Sequence, residues 1–152
     1  MQQRERTRDI VGTGYEGLTA DEFLRILLTL RPDVLVDVRL TPISRKRGLS
    51  KKALASTANE LGIRYEHLPQ LGNPKDNRAG FAGDATALAT ARARYRERLE
   101  SPAAYAALAQ VRELAYTGRV ALLCFEADQE RCHRHVLLQQ LDAIPVPAPM
   151  VS

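Results

Sequence analysis

A run of apolar residues from Val120 to Phe125 is the feature that most limits how this chain can fold. An unbroken run of this kind is typical of a β-strand that is buried on both faces, as in parallel sheets covered by helices. The run ends in a polar loop, and a last helix is predicted from about Arg131 to Ala143. A strand, a loop and a helix in this order form the repeating unit of α/β folds.

The same unit occurs three more times. Strands are predicted at 9–15, 34–38 and 63–68, and further helices follow Thr19 and Ser50 and cover 85–99 and 102–116. We therefore expect an α/β fold with a mostly parallel four-stranded sheet flanked by helices on both faces, a three-layer sandwich. The chain of 152 residues fits a single domain over 1–152, with 1–8 and 144–152 flexible or extended.

Composition excludes several classes of protein. No run of 18 apolar residues is present, which argues against a membrane span, and the charged N-terminus does not resemble a secretory signal. Two cysteines are too few for a disulfide framework. We therefore expect a cytoplasmic protein in which no disulfide joins Cys124 and Cys132. The oligomeric state is left open.

The carboxyl ends of parallel strands meet at one edge of a sheet, where ligands bind in this architecture. Four loops converge there, at 12–18, 39–49, 69–83 and 125–131. We predict one pocket at this edge, lined by Tyr15, Glu16, Arg39, Glu126, His133 and Arg134. Glycines at 12, 14 and 17 would let a ligand approach the backbone closely.

Two carboxylates at this edge, Glu16 and Glu126, suffice for acid–base chemistry, with Asp37 in support. Asp37 and Arg39 point to one face of their strand, so they form either a catalytic pair or a scaffold pair. Cys132 at a helix N-terminus is either an activated nucleophile or a packed side chain. Cys124 is more simply interpreted as a small buried apolar residue.

Phosphate would be held by arginines and by a basic loop. His133 and Arg134 begin the buried face of the last helix, and either serve the site or bond to the scaffold. Arg45, Lys46 and Arg47 form, with two following lysines, the densest positive patch, which is either solvated or bound to phosphate. His67 ends the third strand at the same edge.

No metal ion and no other cofactor is predicted. The spacing of Cys124, Cys132, His133 and His135 matches no structural zinc motif, and the two histidines face apart on a helix.

Five segments of the chain resemble a known family. They are Thr13-Gly-Tyr-Glu-Gly17, Val34-Leu-Val-Asp-Val-Arg39, Ser44-x-x-x-Gly-Leu-Ser50, Tyr65-x-His-Leu-Pro-x-Leu-Gly-Asn73, and Leu122-Leu-Cys-Phe-Glu126 with Arg131-Cys-His-Arg134. Together they resemble domain-of-unknown-function family 488, which implies a small α/β domain and no settled activity. A weaker similarity is to rhodanese-like and phosphatase-like domains, although the acidic loop after Cys124 departs from their anion-binding loops.

The leading hypothesis is an enzyme that acts on a nucleotide or nucleic acid, with carboxylates performing glycosidic-type hydrolysis and arginines holding phosphate. A second hypothesis is a cysteine-dependent enzyme of sulfur or phosphoryl transfer, with Cys132 or Cys124 as nucleophile. A third is a non-catalytic module that binds nucleic acid or an anion.

Overall fold

A computed structural model describes residues 9–41 and 48–143, and confirms the predicted α/β architecture. Four strands form one sheet: β1 (Ile10–Gly14), β2 (Val34–Asp37), β3 (Arg64–His67) and β4 (Val120–Cys124). Their order is β1-β4-β2-β3, and every neighbouring pair is parallel. The strand that the sequence marks as most buried, β4, therefore lies inside the sheet between β1 and β2.

Five α-helices flank the sheet within the described ranges. They are α1 (Ala20–Leu30), α2 (Lys51–Glu60), α3 (Ala85–Arg98), α4 (Pro102–Thr117) and α5 (His133–Ala143). The predicted capping box begins α1: the Thr19 hydroxyl accepts from the Glu22 amide, and the Glu22 carboxylate accepts from the Thr19 amide. Ser50 and Ser101 cap α2 and α4 in the same way.

The two faces of the sheet carry separate apolar clusters, because successive side chains of a strand alternate between faces. Val36, Leu122 and Cys124 pack on the side of α3, α4 and α5. Leu35 and Leu123 pack on the side of α1 and α2. The result is the predicted three-layer sandwich. The face on which a polar residue lies at the end of a strand decides which helices it contacts.

The loops contain more regular structure than the sequence suggests. Three short 3-10 helices occupy the segment after β3, and another, Gln129–Arg131, follows β4. The Asp128 carboxylate caps this turn, and α5 begins at His133 rather than near Arg131. Such a turn has too few residues to show a hydrophobic period, so pattern alone extends the helix through it.

Several predictions fall outside the described ranges, namely those on the termini 1–8 and 144–152 and on the basic residues 45–47. Within the residues that the structure does describe, we find no helix with the length and apolar character to cross a membrane.

Candidate functional site

A cavity of about 350 Å³ opens at the carboxyl edge of the sheet, where β1, β2 and β4 end. This volume is at the small end of the range for sites that hold small molecules. Ten residues line it: Tyr15, Arg39, Leu40, Thr41, Asn73, Arg78, Cys124, Phe125, Glu126 and His133. The cavity therefore has contributions from all four of the loops that were expected to converge at this edge.

One wall contains a buried ion pair between Asp37 and Arg39. Nε and Nη2 of Arg39 donate to the two carboxylate oxygens of Asp37 over 2.8 and 2.7 Å. Nη1 donates to the Leu49 carbonyl at 2.7 Å and to the Tyr15 hydroxyl at 3.1 Å. Burial alone would lower the pKa of Arg39, but the bonds to and charge of Asp37 outweigh it, so the net pKa is raised.

The carboxylate of Asp37 has no acceptor capacity left for a substrate. Besides the two guanidinium nitrogens, it accepts from the backbone amide of Arg39 at 3.1 Å and from the Tyr65 hydroxyl. An ionised carboxylate offers about four acceptor sites, and four donors fill them. Burial and the Asp37 charge raise the pKa of Tyr65, which stays protonated as a donor. These contacts favour the scaffold alternative for Asp37.

The opposite wall contains both cysteines, and the structure joins Cys124 and Cys132 as a disulfide. The prediction that no disulfide joins them was wrong. The 3-10 helix Gln129–Arg131 turns the chain back after β4, so the sulfur of Cys132 returns to the end of the strand. Both cysteines are buried, yet Cys124 lines the cavity and Cys132 lies behind it.

His133 is fixed in one orientation beside this disulfide. Its Nε2 lies 3.0 Å from the carbonyl oxygen of Val38, which can only accept, so Nε2 carries the proton. The other ring nitrogen, Nδ1, therefore has a free lone pair and lies 3.7 Å from Sγ of Cys132. Burial, with nearby charges such as that of Arg134, lowers the pKa of His133 to about 4, so the ring is neutral near pH 7.

Arg134 is a buried cation next to the same sulfur. Its backbone amide and Nε lie 3.4 and 3.3 Å from Sγ of Cys132, and Nη2 donates to the backbone carbonyl of Glu126. Burial lowers the pKa of Arg134, while the charges of Glu126 and Asp128 oppose that shift. Among residues 9–41 and 48–143, no carboxylate lies within ion-pair distance of its guanidinium.

Two glycines of β1 make room for this arrangement. A Cβ at Gly14 would collide with the backbone carbonyl of Glu126 and would lie 3.2 Å from Nη2 of Arg134. At Gly12, a Cβ would collide with the side chain of Gln129. At positions 12 and 14, the close approach that the sequence suggested for a ligand is thus made by the protein's own loop after β4, which corrects that interpretation for these two glycines; a Cβ at Gly17 would meet nothing within 4 Å.

Comparison with known families agrees with the resemblance seen in the motifs. The family model described as "Domain of unknown function DUF488" matches residues 19–141. The chain belongs to the DUF488 family. Neither curated proteins nor solved structures give a significant match to it.

The predicted site residues of this DUF488 domain fall into four groups. Tyr15, Arg39, Glu126 and His133 line the cavity, whereas Cys132 and Arg134 lie directly behind it. Glu16 is exposed and is not among the lining residues, and its carboxylate accepts from the Ala127 amide at 3.1 Å, while His67 bonds to the Arg39 carbonyl at 2.8 Å. Arg45, Lys46 and Arg47 lie outside the described residues.

Sequence reasoning missed the contribution of the long loop after β3 in this DUF488 domain. Asn73 and Arg78 line the cavity, and the loop is held by hydrogen bonds from Asn77 to the side chain of Asn73 and from Arg78 to its carbonyl. The signal was available, because segment 69–83 was predicted at the same edge and Asn73 ends one of the family motifs. Arg78 belongs to no sequence motif that would have marked it as a site residue.

Four side chains of types that bind metals meet at the back of the cavity. One ligand atom each of Cys124, Glu126, Cys132 and His133 lies within 4.8 Å of all the others. The argument against a metal considered His135 as the fourth ligand and used sequence spacing. His135 is indeed outside this group, but Glu126, which that argument did not consider, supplies a fourth ligand atom.

Proposed function

We propose that this protein catalyses thiol–disulfide exchange on a small thiol that carries a carboxylate. The observation that carries the proposal is the Cys124–Cys132 disulfide at the wall of a cavity, with only Cys124 facing the cavity. This is the cysteine-dependent sulfur chemistry that the sequence offered as its second hypothesis. The disulfide makes exchange the simplest reaction that the described residues can perform.

In the first step, a substrate thiolate attacks Sγ of Cys124. A new bond forms between the substrate sulfur and Cys124, and the Cys124–Cys132 bond breaks. Cys132 leaves as a thiolate, and the amide and Nε of Arg134 are positioned to donate to it. Hydrogen bonds and a neighbouring positive charge stabilise a thiolate and so make it a better leaving group.

In the second step, another substrate thiolate attacks the substrate sulfur of the mixed disulfide. Cys124 is released as a thiolate, and the substrate leaves as its own disulfide. Two electrons have passed to the protein, which is left as a dithiol, and two substrate thiols have been oxidised. The reverse sequence reoxidises the protein, so the relative reduction potentials decide the direction.

The cavity lining supports a small, charged substrate. Arg78 is an exposed guanidinium at the cavity, which suits a carboxylate, while Glu126 suits an ammonium group on the same molecule. Leu40 and Phe125 supply apolar surface between them. The volume of about 350 Å³ suits a small molecule.

Trapping the mixed disulfide tests the proposal. Cys132→Ser leaves Cys124 without its partner, so incubation with oxidised glutathione is expected to give a stable adduct on Cys124, seen by intact-protein mass spectrometry. Arg78→Gln is expected to slow adduct formation by about tenfold or more, since it removes a charged hydrogen bond worth about 1.5 to 3 kcal/mol. Arg94→Gln, on the outside of α3, is the matched control and should leave the rate unchanged.

The proposal fails if Cys132→Ser forms no adduct faster than an unfolded control of the same chain. It also fails if oxidised wild type gives no substrate disulfide when it is mixed with a small thiol under nitrogen. An adduct rate that is equal for the Arg78 and Arg94 variants would reject the recognition of a carboxylate while leaving the chemistry of Cys124 intact.

Hydrolysis of a nucleotide is the second candidate, because Glu126 lines the same cavity as Arg39 and Arg78. Glu126 would act as acid or base, and the arginines would hold phosphate. Asp37 and Glu16 have other partners, which leaves a single carboxylate for the reaction. Release of base from nucleotides that disappears in Glu126→Gln and persists in Cys124→Ser would favour this candidate over exchange.

Binding of a nucleic acid is tested separately at the basic loop. If Arg45, Lys46 and Arg47 contact phosphates, their replacement by Ala should weaken binding to all oligonucleotides and flatten its dependence on salt. Fluorescence anisotropy at two salt concentrations measures both effects. Absence of any binding by wild type at low salt would reject a polymer partner and leave small ligands.

A further inference from the structure

The side chains behind the cavity can do more than exchange electrons. We propose that, after a thiol reductant has opened the Cys124–Cys132 disulfide and has itself been oxidised to a disulfide, the reduced site binds one Zn²⁺ through Cys124, Cys132, His133 and Glu126. The inference goes beyond the proposed function, because it needs two free thiols but no substrate and no turnover.

Proximity is the first argument. The four ligand atoms lie within 4.8 Å of one another. In a tetrahedral zinc site, with bonds of about 2.3 Å to sulfur and about 2.0 to 2.2 Å to nitrogen and oxygen, neighbouring ligand atoms are about 3.3 to 3.8 Å apart. The group therefore needs only small side-chain movements, and the two sulfurs must separate once their bond is reduced.

The orientation of His133 is the second argument. A histidine that binds a metal with one ring nitrogen almost always donates its other N–H to a carbonyl or carboxylate. Nε2 of His133 already donates to the Val38 carbonyl at 3.0 Å, which leaves the lone pair of Nδ1 on the side of Cys132. The Tyr95 ring packs edge-on against the imidazole at 5.1 Å and limits its rotation.

The buried charge of Arg134 is the third argument. No carboxylate of the described chain pairs with this side chain, which is 1% exposed, and a buried cation without a counter-ion is costly. A Zn²⁺ ion bound by two thiolates and a carboxylate has a net charge of −1. Glu126 alone gives the oxidised site this same charge, so a Zn²⁺ ion with two thiolates can be added beside Arg134, which contacts Cys132 through Nε, without any net gain of positive charge.

The ligand types select the metal. Two thiolates with one imidazole favour Zn²⁺ over Mg²⁺ or Ca²⁺, which prefer oxygen. Glu126 is the most accessible of the four and lies at the cavity, so it is the ligand that water or a substrate would replace. In catalytic zinc sites, water or substrate likewise takes the fourth ligand position.

A competition titration tests the site. Protein reduced with a phosphine and stripped with a chelator is titrated with Zn²⁺ against a chromogenic chelator, and we expect one ion per chain. Cys124→Ser, Cys132→Ser and His133→Gln should each bind at least about 100-fold more weakly, above the 10- to 100-fold typical of residues that only support a ligand. Glu126→Gln should lose about tenfold.

Two controls keep the result interpretable. His135→Gln changes a histidine on the same helix that is outside the cluster, and its affinity should equal that of wild type. Oxidised wild type, which has the same sequence and needs no substitution to fold, should bind no zinc at the site. Co²⁺ in place of Zn²⁺ should give thiolate-to-metal charge-transfer absorption in reduced wild type and in His135→Gln, and much less in Cys132→Ser.

Several results would overturn the inference. They are equal zinc affinity of oxidised and reduced wild type, equal losses for His133→Gln and His135→Gln, or a cobalt spectrum without thiolate bands. Exchange activity is measured on oxidised protein with chelator present, so either proposal can fail while the other stands.

Discussion

The two walls of the cavity use similar polar side chains but bond them in opposite ways. On the wall of β2, Asp37 and Arg39 face each other, and neighbours inside the protein take all the acceptor sites of Asp37 and four of the five guanidinium N–H donors of Arg39. On the wall of β4 and α5, Cys124 lines the cavity and Nδ1 of His133 has a free lone pair, so both can still react or bind a ligand. A polar residue at the correct edge of a sheet is therefore reactive only if its partners leave an atom unused.

The largest expected effect on stability comes from breaking the ion pair in the wall of β2. Asp37→Asn leaves the buried Arg39 without its counter-ion, and we expect the free energy of unfolding to fall by about 3 to 5 kcal/mol. Glu66→Gln is the matched control, since it removes the more exposed pair with Arg64 and should cost about 0 to 1 kcal/mol. Denaturation with urea measures both. Equal losses in the two variants would mean that the wall of β2 is not a buried scaffold.

Reduction of the disulfide should have the next largest effect. The bond closes a short loop with a sequence separation of 8, for which chain entropy predicts about 2.5 kcal/mol of stabilisation. Wild type with chelator present should lose that amount on reduction, whereas Cys124→Ser should be indifferent to reductant. If reduced and oxidised wild type unfold at the same urea concentration, the disulfide does not stabilise the wall of β4 and α5.

The smallest effect is a dependence of stability on pH that arises from the wall of α5. The folded pKa of His133 is about 4, below the ordinary 6.5, so the unfolded chain binds more protons between these values. Stability therefore falls as pH falls through this window, by about 2 kcal/mol from pH 7 to pH 5. Oxidised, metal-free His133→Gln should lack this component, and His135→Gln should retain it. An unchanged pH slope in His133→Gln would show that the imidazole is not buried in its neutral form.

The sequence predicts the fold well because the fold depends on long patterns. The apolar period of α1 and the unbroken apolar run of β4 each extend over many residues, and all of these residues indicate the same element. The cap at Thr19 agrees with the start of α1. The family and the edge of the sheet at which polar loops meet also follow from such patterns.

The contacts of the site could not be predicted in the same way, because they depend on a few atoms in short turns. The 3-10 helix Gln129–Arg131 decides that the two cysteines meet, yet it has no pattern of its own. Whether Asp37 is a base or a scaffold depends on Tyr65, which lies 28 residues away in the chain. Arg78 reaches the cavity through a loop whose path is set by its own internal hydrogen bonds.

The glycines of β1 have a consequence for how such a chain can vary. Position 14 has no space for a methyl group as long as the carbonyl of Glu126 and the guanidinium of Arg134 stay where they are. A shorter side chain at 134 would relieve only part of the conflict, because the carbonyl at 126 belongs to the main chain. A larger residue at 14 is therefore acceptable only together with a rebuilt loop after β4, so two segments more than a hundred residues apart must change as one unit.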